Sequence, residues 1–315
     1  MSDLANKRIV IAGPTGIGKT ASSLELVRTL RDQSIKASII SADSRQCYKY
    51  LDIGTGKVTI DEMGDIRHFN ISIFEPDQND TAAAFVDRSR QWETKIRAEG
   101  EIPIYVGGST LHLQSLIWPL DDIPGACVYN QIKLTQQEKE FGQDFILDKL
   151  KKIDPEYYAK VEGYNRNRVF RALDVYMQSG IPFSQYHSER DFTVVPNDTL
   201  LIVLTCDRNT LKEFIDTRVD KMIDNGLVNE TSQILKMGYS PTLQALQTVG
   251  YKETIDFLDG IIDHTQMVSL IKISTRQYAK RQQTWFRRWK SAIVIDTSGK
   301  NSQMISDEIL MHYFA

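Results

Sequence analysis

The chain has 315 residues, 38 Lys and Arg against 41 Asp and Glu, a net charge of −3, and 41% hydrophobic residues. Those proportions exclude a disordered or collagen-like polymer, and the length allows about two domains with a sizeable core. Treated as one number, the mild acidity argues against a nucleic-acid partner, because such partners select basic surfaces.

From the amino-terminus, the first residues run directly into an apolar strand, so no secretory leader is expected. The strand Ile9-Val10-Ile11-Ala12 leads into Gly13-Pro14-Thr15-Gly16-Ile17-Gly18-Lys19-Thr20, a G-x-x-x-x-G-K-[ST] phosphate loop, and then into a helix opening at Ala21. Its backbone N–H groups can curl around a phosphate chain, the helix N-terminus adds partial positive charge, Lys19 a formal charge, and Thr20 a hydroxyl for Mg²⁺. ATP is another occupant that such a loop allows. The second strand, Ala37–Ser41, ends at Asp43-Ser44-Arg45-Gln46-Cys47-Tyr48, followed by Asp52-Ile53-Gly54-Thr55-Gly56-Lys57. In a doubly wound sheet this puts a carboxylate, a guanidinium and an amide at the mouth of the phosphate-loop crevice. Asp43 capping its own turn, with Arg45 solvated, is the plainer alternative.

The third strand, Ile102–Val106, runs into Gly107-Gly108-Ser109-Thr110 with no Mg²⁺-linked Asp, which weakens a hydrolase reading and leaves a transferase that holds a diphosphate. Between Leu120 and Arg190 helical spacing takes over: Ile146, Leu150 and Ile153 recur at i, i+4, i+7, and so do Val169, Leu173 and Tyr176, with Gly180-Ile181-Pro182 closing the second helix. A strand at Leu201–Leu204 follows, then a helical stretch from Thr210 with breaks at Gly226, Gly238 and Gly250, and a last strand at Ala292–Ile295. The expected fold is α/β, a P-loop parallel sheet flanked by helices, with a helical insertion domain and a helical C-terminal region. Residues 1–119 with 191–315 form the catalytic core and residues 120–190 the insertion.

Cys47, Cys127 and Cys206 lack paired spacing, and the five histidines are isolated from one another, so neither a disulfide framework nor a metal cage is expected. A reducing cytoplasm suits this pattern, the chain is expected to act as a monomer, and no run is long enough to span a membrane. From His264 to Ile295 there are seven Lys and Arg and no acid, leaving 31 basic and 41 acidic residues elsewhere, so the net charge conceals a basic helix. Arg276, Lys280, Gln283 and Arg287 share one helical face suited to phosphates, while Tyr278, Gln282, Trp285 and Trp289 share another suited to packing.

Taken together, the phosphate loop, Asp43–Gln46, Asp52–Lys57, Gly107-Gly108-Ser109, Arg168–Val175, Gly250-Tyr251-Lys252-Glu253 and Lys280-Arg281-Gln282-Gln283-Thr284-Trp285-Phe286-Arg287 make the chain similar, over nearly its whole length, to the tRNA dimethylallyltransferases, also called tRNA isopentenyltransferases. The resemblance implies transfer of a dimethylallyl group from dimethylallyl diphosphate to N6 of the adenosine 3′-adjacent to the anticodon, releasing diphosphate. It implies Asp43 as the base or acceptor at the amine, Ser109 as a hydroxyl beside it and Arg218 on the diphosphate. Read locally, Arg218 would instead pair with Asp220 or Asp224 on the helix surface. It further implies tRNA contacts at Asp43, Ser44, Arg45, Gln46, Ser109, Asn167, Arg168, Arg171, Gln247, Gly250, Lys252, Lys280, Arg281, Gln282, Trp285 and Arg287. Thr110 and His112 depart from the family's Gly and Tyr. An adenylate isopentenyltransferase acting on free AMP, ADP or ATP shares the loop and the Asp but has no use for the basic helix or the insertion. A P-loop regulator without transfer chemistry gives Asp43 and Arg218 no joint task.

Overall fold

A computed structural model of the protein describes residues 7–119, 121–161, 163–186 and 191–315. The residues read for a leader (1–6), His187, and the expected insertion limits at Leu120 and Arg190 lie outside the described residues. The chain forms two compact units, one of residues 1–118 with 192–315 and one of residues 119–191.

In chain order, the first unit comprises β1 (Arg8–Ala12), α1 (Lys19–Asp32), β2 (Ala37–Ser41), α2 (Ile60–Met63), β3 (His68–Phe69), α3 (Ala82–Ala98), β4 (Ile102–Gly107) and α4 (Thr110–Ile117). The second unit contributes α5 (Val128–Ile153), α6 (Pro155–Lys160) and α7 (Arg166–Ser179). The chain then returns to the first unit with β5 (Thr199–Thr205), α8 (Arg208–Asp224), α9 (Leu227–Lys236), α10 (Tyr251–Leu258), α11 (His264–Phe286), β6 (Ile293–Asp296) and α12 (Ser302–Phe314).

The six strands form one parallel sheet in the order β3-β2-β4-β1-β5-β6. The central strands read as unbroken apolar runs because helices cover both faces of a parallel sheet. Along β1, Ile9 and Ile11 enter one core and Val10 and Ala12 the other, and all four are fully buried. The five strands expected from the sequence are present, and the sixth, β3, is two residues long, too short to leave a periodic signal. The glycine breaks hold as well: Gly226 and Gly250 precede α9 and α10, and Gly180 ends α7 in the left-handed conformation. The second unit has its own core around Leu134, Ile146, Leu150, Val169, Phe170 and Leu173, and α5 is interrupted at Gly142, whose φ of 84° is not helical.

For function, the decisive feature is adjacency. Strands β2, β4 and β1 lie side by side and end nearly flush, Ser41 opposite Val106 and Ala12 opposite Gly107. Three loops far apart in sequence therefore emerge together at the carboxyl edge of the sheet, where open α/β sheets bind their ligands.

Candidate active site

The phosphate loop follows β1, and α1 begins at Lys19 directly after Gly18, which takes the left-handed conformation at φ 93°. Lys19 lies along the loop, its Nζ donating to the Pro14 carbonyl at 2.8 Å. Burial holds its pKa down to about 7, with the charge of Asp43 opposing that shift and the charge of Arg218 adding to it. An ammonium held in this way lacks a full anionic partner, and a bound phosphate chain would supply one.

Asp43, beyond β2, caps its own turn and also lines the cleft. Its Oδ1 accepts from the backbone N–H of Arg45 at 2.8 Å and of Gln46 at 3.3 Å, so one oxygen caps the turn. The same carboxylate lines a cleft of about 1110 Å³ together with Thr15–Thr20, Gln46, Thr55, Gly56, Arg218 and Tyr278. Gln46 braces the turn, accepting from Ser41 Oγ at 3.1 Å and donating to the Gly56 carbonyl at 3.2 Å. Arg45 and Ser44 are half-buried on the same turn but do not line the cleft.

Arg218 is not the surface ion pair that its neighbours in sequence suggest. It enters the cleft from α8, its Nη2 donating to the Thr55 carbonyl at 3.0 Å, and burial lowers its pKa while Asp43 counteracts the shift. Asp220 pairs instead with Lys272, at 2.6 Å.

Beyond β4, the Gly107-Gly108 turn packs where no side chain fits. A Cβ on Gly108 would meet Gln282 Nε2 at 2.5 Å, and one on Gly107 would collide with the Ala42 carbonyl. Gln282 clamps this turn to the phosphate loop: it donates to the Gly108 carbonyl at 2.7 Å and accepts from Thr15 N–H at 2.9 Å. With 3% exposure, its side chain is placed as a brace inside the protein and not as an exposed contact for RNA. Leaving a buried polar group without its partner costs roughly 1–3 kcal/mol, so the brace is a stiff one. Ser109 precedes α4 without a side-chain capping bond and does not line the cleft. His112 is a core residue stacked on Phe85 with ring centroids 4.6 Å apart, and burial lowers its pKa to about 4.

Two features of the site lie outside the sequence reading, which puts Tyr278 on a packing face and does not single out Glu230. Tyr278 lines the cleft at 37% exposure, and partial desolvation of its hydroxyl together with the charge of Asp43 raises its pKa. Glu230 on α9 holds the backbone of residues 52–54, 176 to 178 positions away.

The basic stretch is only partly helical: α11 carries Lys272, Arg276, Lys280 and Arg281 and ends at Phe286, so Arg287, Arg288, Trp289 and Lys290 follow the helix and Trp289 does not continue its packing face. The structure also corrects the charge. Lys272 and Arg276 are neutralised by Asp220 and Asp216 of α8, the second pair at 3.3 Å, so Arg276 does not belong to a free phosphate-binding face. Lys280, Arg281, Arg287, Arg288 and Lys290 are exposed, and Tyr278 and Gln282, which bracket the first two, line the cleft. Trp289 is 3% exposed against Trp118 and Phe286, and Trp285 is half-buried beneath Arg288. Near α10, Gln247 and Lys252 are exposed and Gly250 is buried. In the second unit, Asn167 and Arg168 are exposed on α7, whereas Arg171 is tied to the Pro124 carbonyl and, at 3.6 Å, to Asp174.

The sequence profile of the IPP transferase family matches residues 46–289, and that of the isopentenyl transferase family matches residues 7–73. The tRNA dimethylallyltransferase of Carboxydothermus hydrogenoformans is 39% identical over 310 residues, 98% of this chain and 97% of that protein. That of Alkaliphilus metalliredigens is 36% identical over 308 residues, 98% of this chain and 97% of that protein. Among solved structures, the full-length tRNA isopentenylpyrophosphate transferase of Bacillus halodurans is similar with a TM-score of 0.69 at 32% identity, covering 98% of this chain and 95% of its own. A eukaryotic dimethylallyltransferase, captured acting on tRNA, gives a TM-score of 0.79 at 26% identity, covering 97% of this chain and 80% of its own.

Proposed function

The chain belongs to the IPP transferase family of tRNA dimethylallyltransferases, and from that premise we propose that it transfers a dimethylallyl group from dimethylallyl diphosphate to N6 of the adenosine 3′-adjacent to the anticodon. One observation carries the reading: a single cleft joins a phosphate loop, a half-buried arginine and a carboxylate with one oxygen fixed by its own turn.

Diphosphate enters along the loop, where its N–H groups, Lys19 and Arg218 meet the charge that grows as the bond from the prenyl C1 to oxygen breaks. The adenine N6 forms the new bond to C1, the electron pair of the broken bond leaves with diphosphate, and the N6 proton passes to Asp43, whose other oxygen stays fixed on the Arg45 and Gln46 amides. Ser109 stands beside this turn, its N–H on the Ala42 carbonyl at 3.3 Å, and is the proposed hydroxyl near the amine. Thr20 lines the cleft with its hydroxyl at the end of the phosphate loop and would hold Mg²⁺ together with phosphate oxygens and water, the way Mg²⁺ is commonly bound beside phosphates. When bound, the ion would neutralise diphosphate charge.

For the tRNA, the exposed Lys280 and Arg281 of α11 and Arg287, Arg288 and Lys290 just past its end support phosphate contacts, with Asn167, Arg168, Gln247 and Lys252 as further contacts and the adenine leaving its stack to reach Asp43. The proposed setting is the cytoplasm, with the protein acting as a monomer. No helix among the described residues is long and apolar enough to cross a membrane.

Radiolabelled dimethylallyl diphosphate offered with unmodified tRNA and AMP in parallel tests the assignment. Label is expected in tRNA at the adenosine following the anticodon. Label in AMP with none in tRNA would replace this reading with the free-nucleotide one.

A further inference from the structure

Glu230 has no part in the chemistry above, yet four donors converge on its carboxylate. The backbone N–H groups of Asp52, Ile53 and Gly54 donate to it at 3.2, 2.8 and 3.2 Å, and the Tyr251 hydroxyl donates at 2.6 Å. Tyr251 is fully buried, and its ring stands so close to the loop that a Cβ on Gly54 would lie 2.5 Å from it. The far end of the same loop is anchored by Lys57, whose Nζ reaches the Tyr48 carbonyl at 2.6 Å, Asp52 Oδ1 at 2.5 Å and Ser72 Oγ at 2.9 Å. Between the two anchors, residues 55 and 56 carry the interactions that matter to the cleft. Thr55 offers its carbonyl to Arg218, and the guanidinium occupies the space that a side chain on Gly56 would need. Gly56 offers its carbonyl to the Gln46 side-chain Nε2, and the Gln46 backbone N–H donates to Asp43 Oδ1.

We infer that Glu230, with Tyr251, is a positioning residue that fixes the 52–56 loop and thereby aims Arg218 at the diphosphate. A carboxylate suits this task because it only accepts, so three N–H groups and a phenol can all point at it without a competing donor. Glu230→Gln turns one of its oxygens into an NH₂ facing N–H donors, so the loop must shift or lose bonds. The effect then arrives at the cleft through Arg218, because that side chain rests on the displaced carbonyl.

The inference rests on the transferase reading for its meaning, but its test can be made on binding alone. Inorganic diphosphate is titrated into the wild type, Glu230→Gln, Arg218→Ala and the double variant, with prenyl transfer to tRNA measured alongside. The expected result is about tenfold weaker diphosphate binding in Glu230→Gln, a comparable fall in turnover, and less than about a twofold further change when Glu230→Gln is added to Arg218→Ala, since residues acting through one another are not additive. Tyr251→Phe, which deletes one hydrogen bond and keeps the ring packed, gives the same pattern at smaller amplitude and stands in if Glu230→Gln fails to fold. Equal losses in the presence and absence of Arg218, or unaltered diphosphate affinity in both variants, would overturn the inference. A wild type that binds diphosphate but labels no tRNA would instead remove the transferase reading and leave this cycle interpretable.

Discussion

Lys19 shows how one buried charge turns into a measurable property. With its pKa at about 7, the amine is protonated below that pH and loses its proton above it. A bound diphosphate restores the charged form, so binding above pH 7 must take up a proton. Affinity for dimethylallyl diphosphate should therefore be nearly flat in Lys19's contribution below pH 7 and weaken above it, approaching tenfold per pH unit. Titrations from pH 6.5 to 9 in the absence of tRNA will show this slope, and Lys19→Met should flatten it. A slope unchanged by that substitution would place the titrating group elsewhere. Lys19, Asp43 and the loop glycines were legible in the sequence because motif and strand end bring them together locally. Arg218 was legible only through the family resemblance and not from its neighbours, and the bracing contacts of Gln282 were not legible at all. On a helix, residues two apart do not face each other, so Asp220 points away from Arg218, and the local ion pair could not form. Gln282 finds its partners 174 and 267 residues away, a separation that no periodicity reports.

Helix α11 is legible in the sequence as basic along one stretch and apolar along another, but counting its charges from sequence assumes that acids distant along the chain stay distant in space. Helix α8 packs alongside and supplies Asp216 and Asp220, dividing the seven cations into a paired group and an exposed group. The division makes a prediction. Replacing Lys280, Arg281 or Arg287 with Gln should weaken tRNA binding and reduce the slope of log affinity against log salt by about 0.7–0.9 for each phosphate that the side chain had neutralised. Replacing Lys272 with Gln should leave the slope unaltered, because its charge is already matched by Asp220. Fluorescence titrations between about 50 and 200 mM salt measure both. Equal slope changes at Lys272 and Arg281 would mean that the paired lysine leaves its aspartate for RNA.

The molecule is built as a sheet-centred unit interrupted by a helical one, and the point of interruption is closed. Trp118 and Phe192, which flank residues 119–191, are in edge contact with ring centroids 5.1 Å apart, and Trp118 Nε1 donates to the Val194 carbonyl at 2.6 Å. Replacing residues 119–191 with a Gly/Ser linker of about six residues should therefore leave a cooperatively folding protein. Its affinity for inorganic diphosphate should stay within about threefold of wild type, because its phosphate loop and Arg218 are untouched, while tRNA affinity falls by on the order of tenfold with the loss of Arg168. Loss of diphosphate binding in that variant would mean that the helical unit supports the cleft. The alternation of strands and helices made this architecture readable, whereas the strand order was beyond local pattern, since β4 inserts between β2 and β1 through pairing of distant segments.

That strand order also sets a timetable during synthesis. β1 is paired on one side by β4, but on the other side by β5, whose residues leave the ribosome only after the whole helical unit has been made. Until Thr199–Thr205 emerge, β1 is an open apolar edge of the kind that invites wrong pairing, and a transcript truncated before that point would yield an aggregation-prone product. Arg218 appears later still, so the nascent chain can shape its phosphate loop well before it can bind diphosphate in full. Competence therefore arrives only with the last third of the polypeptide.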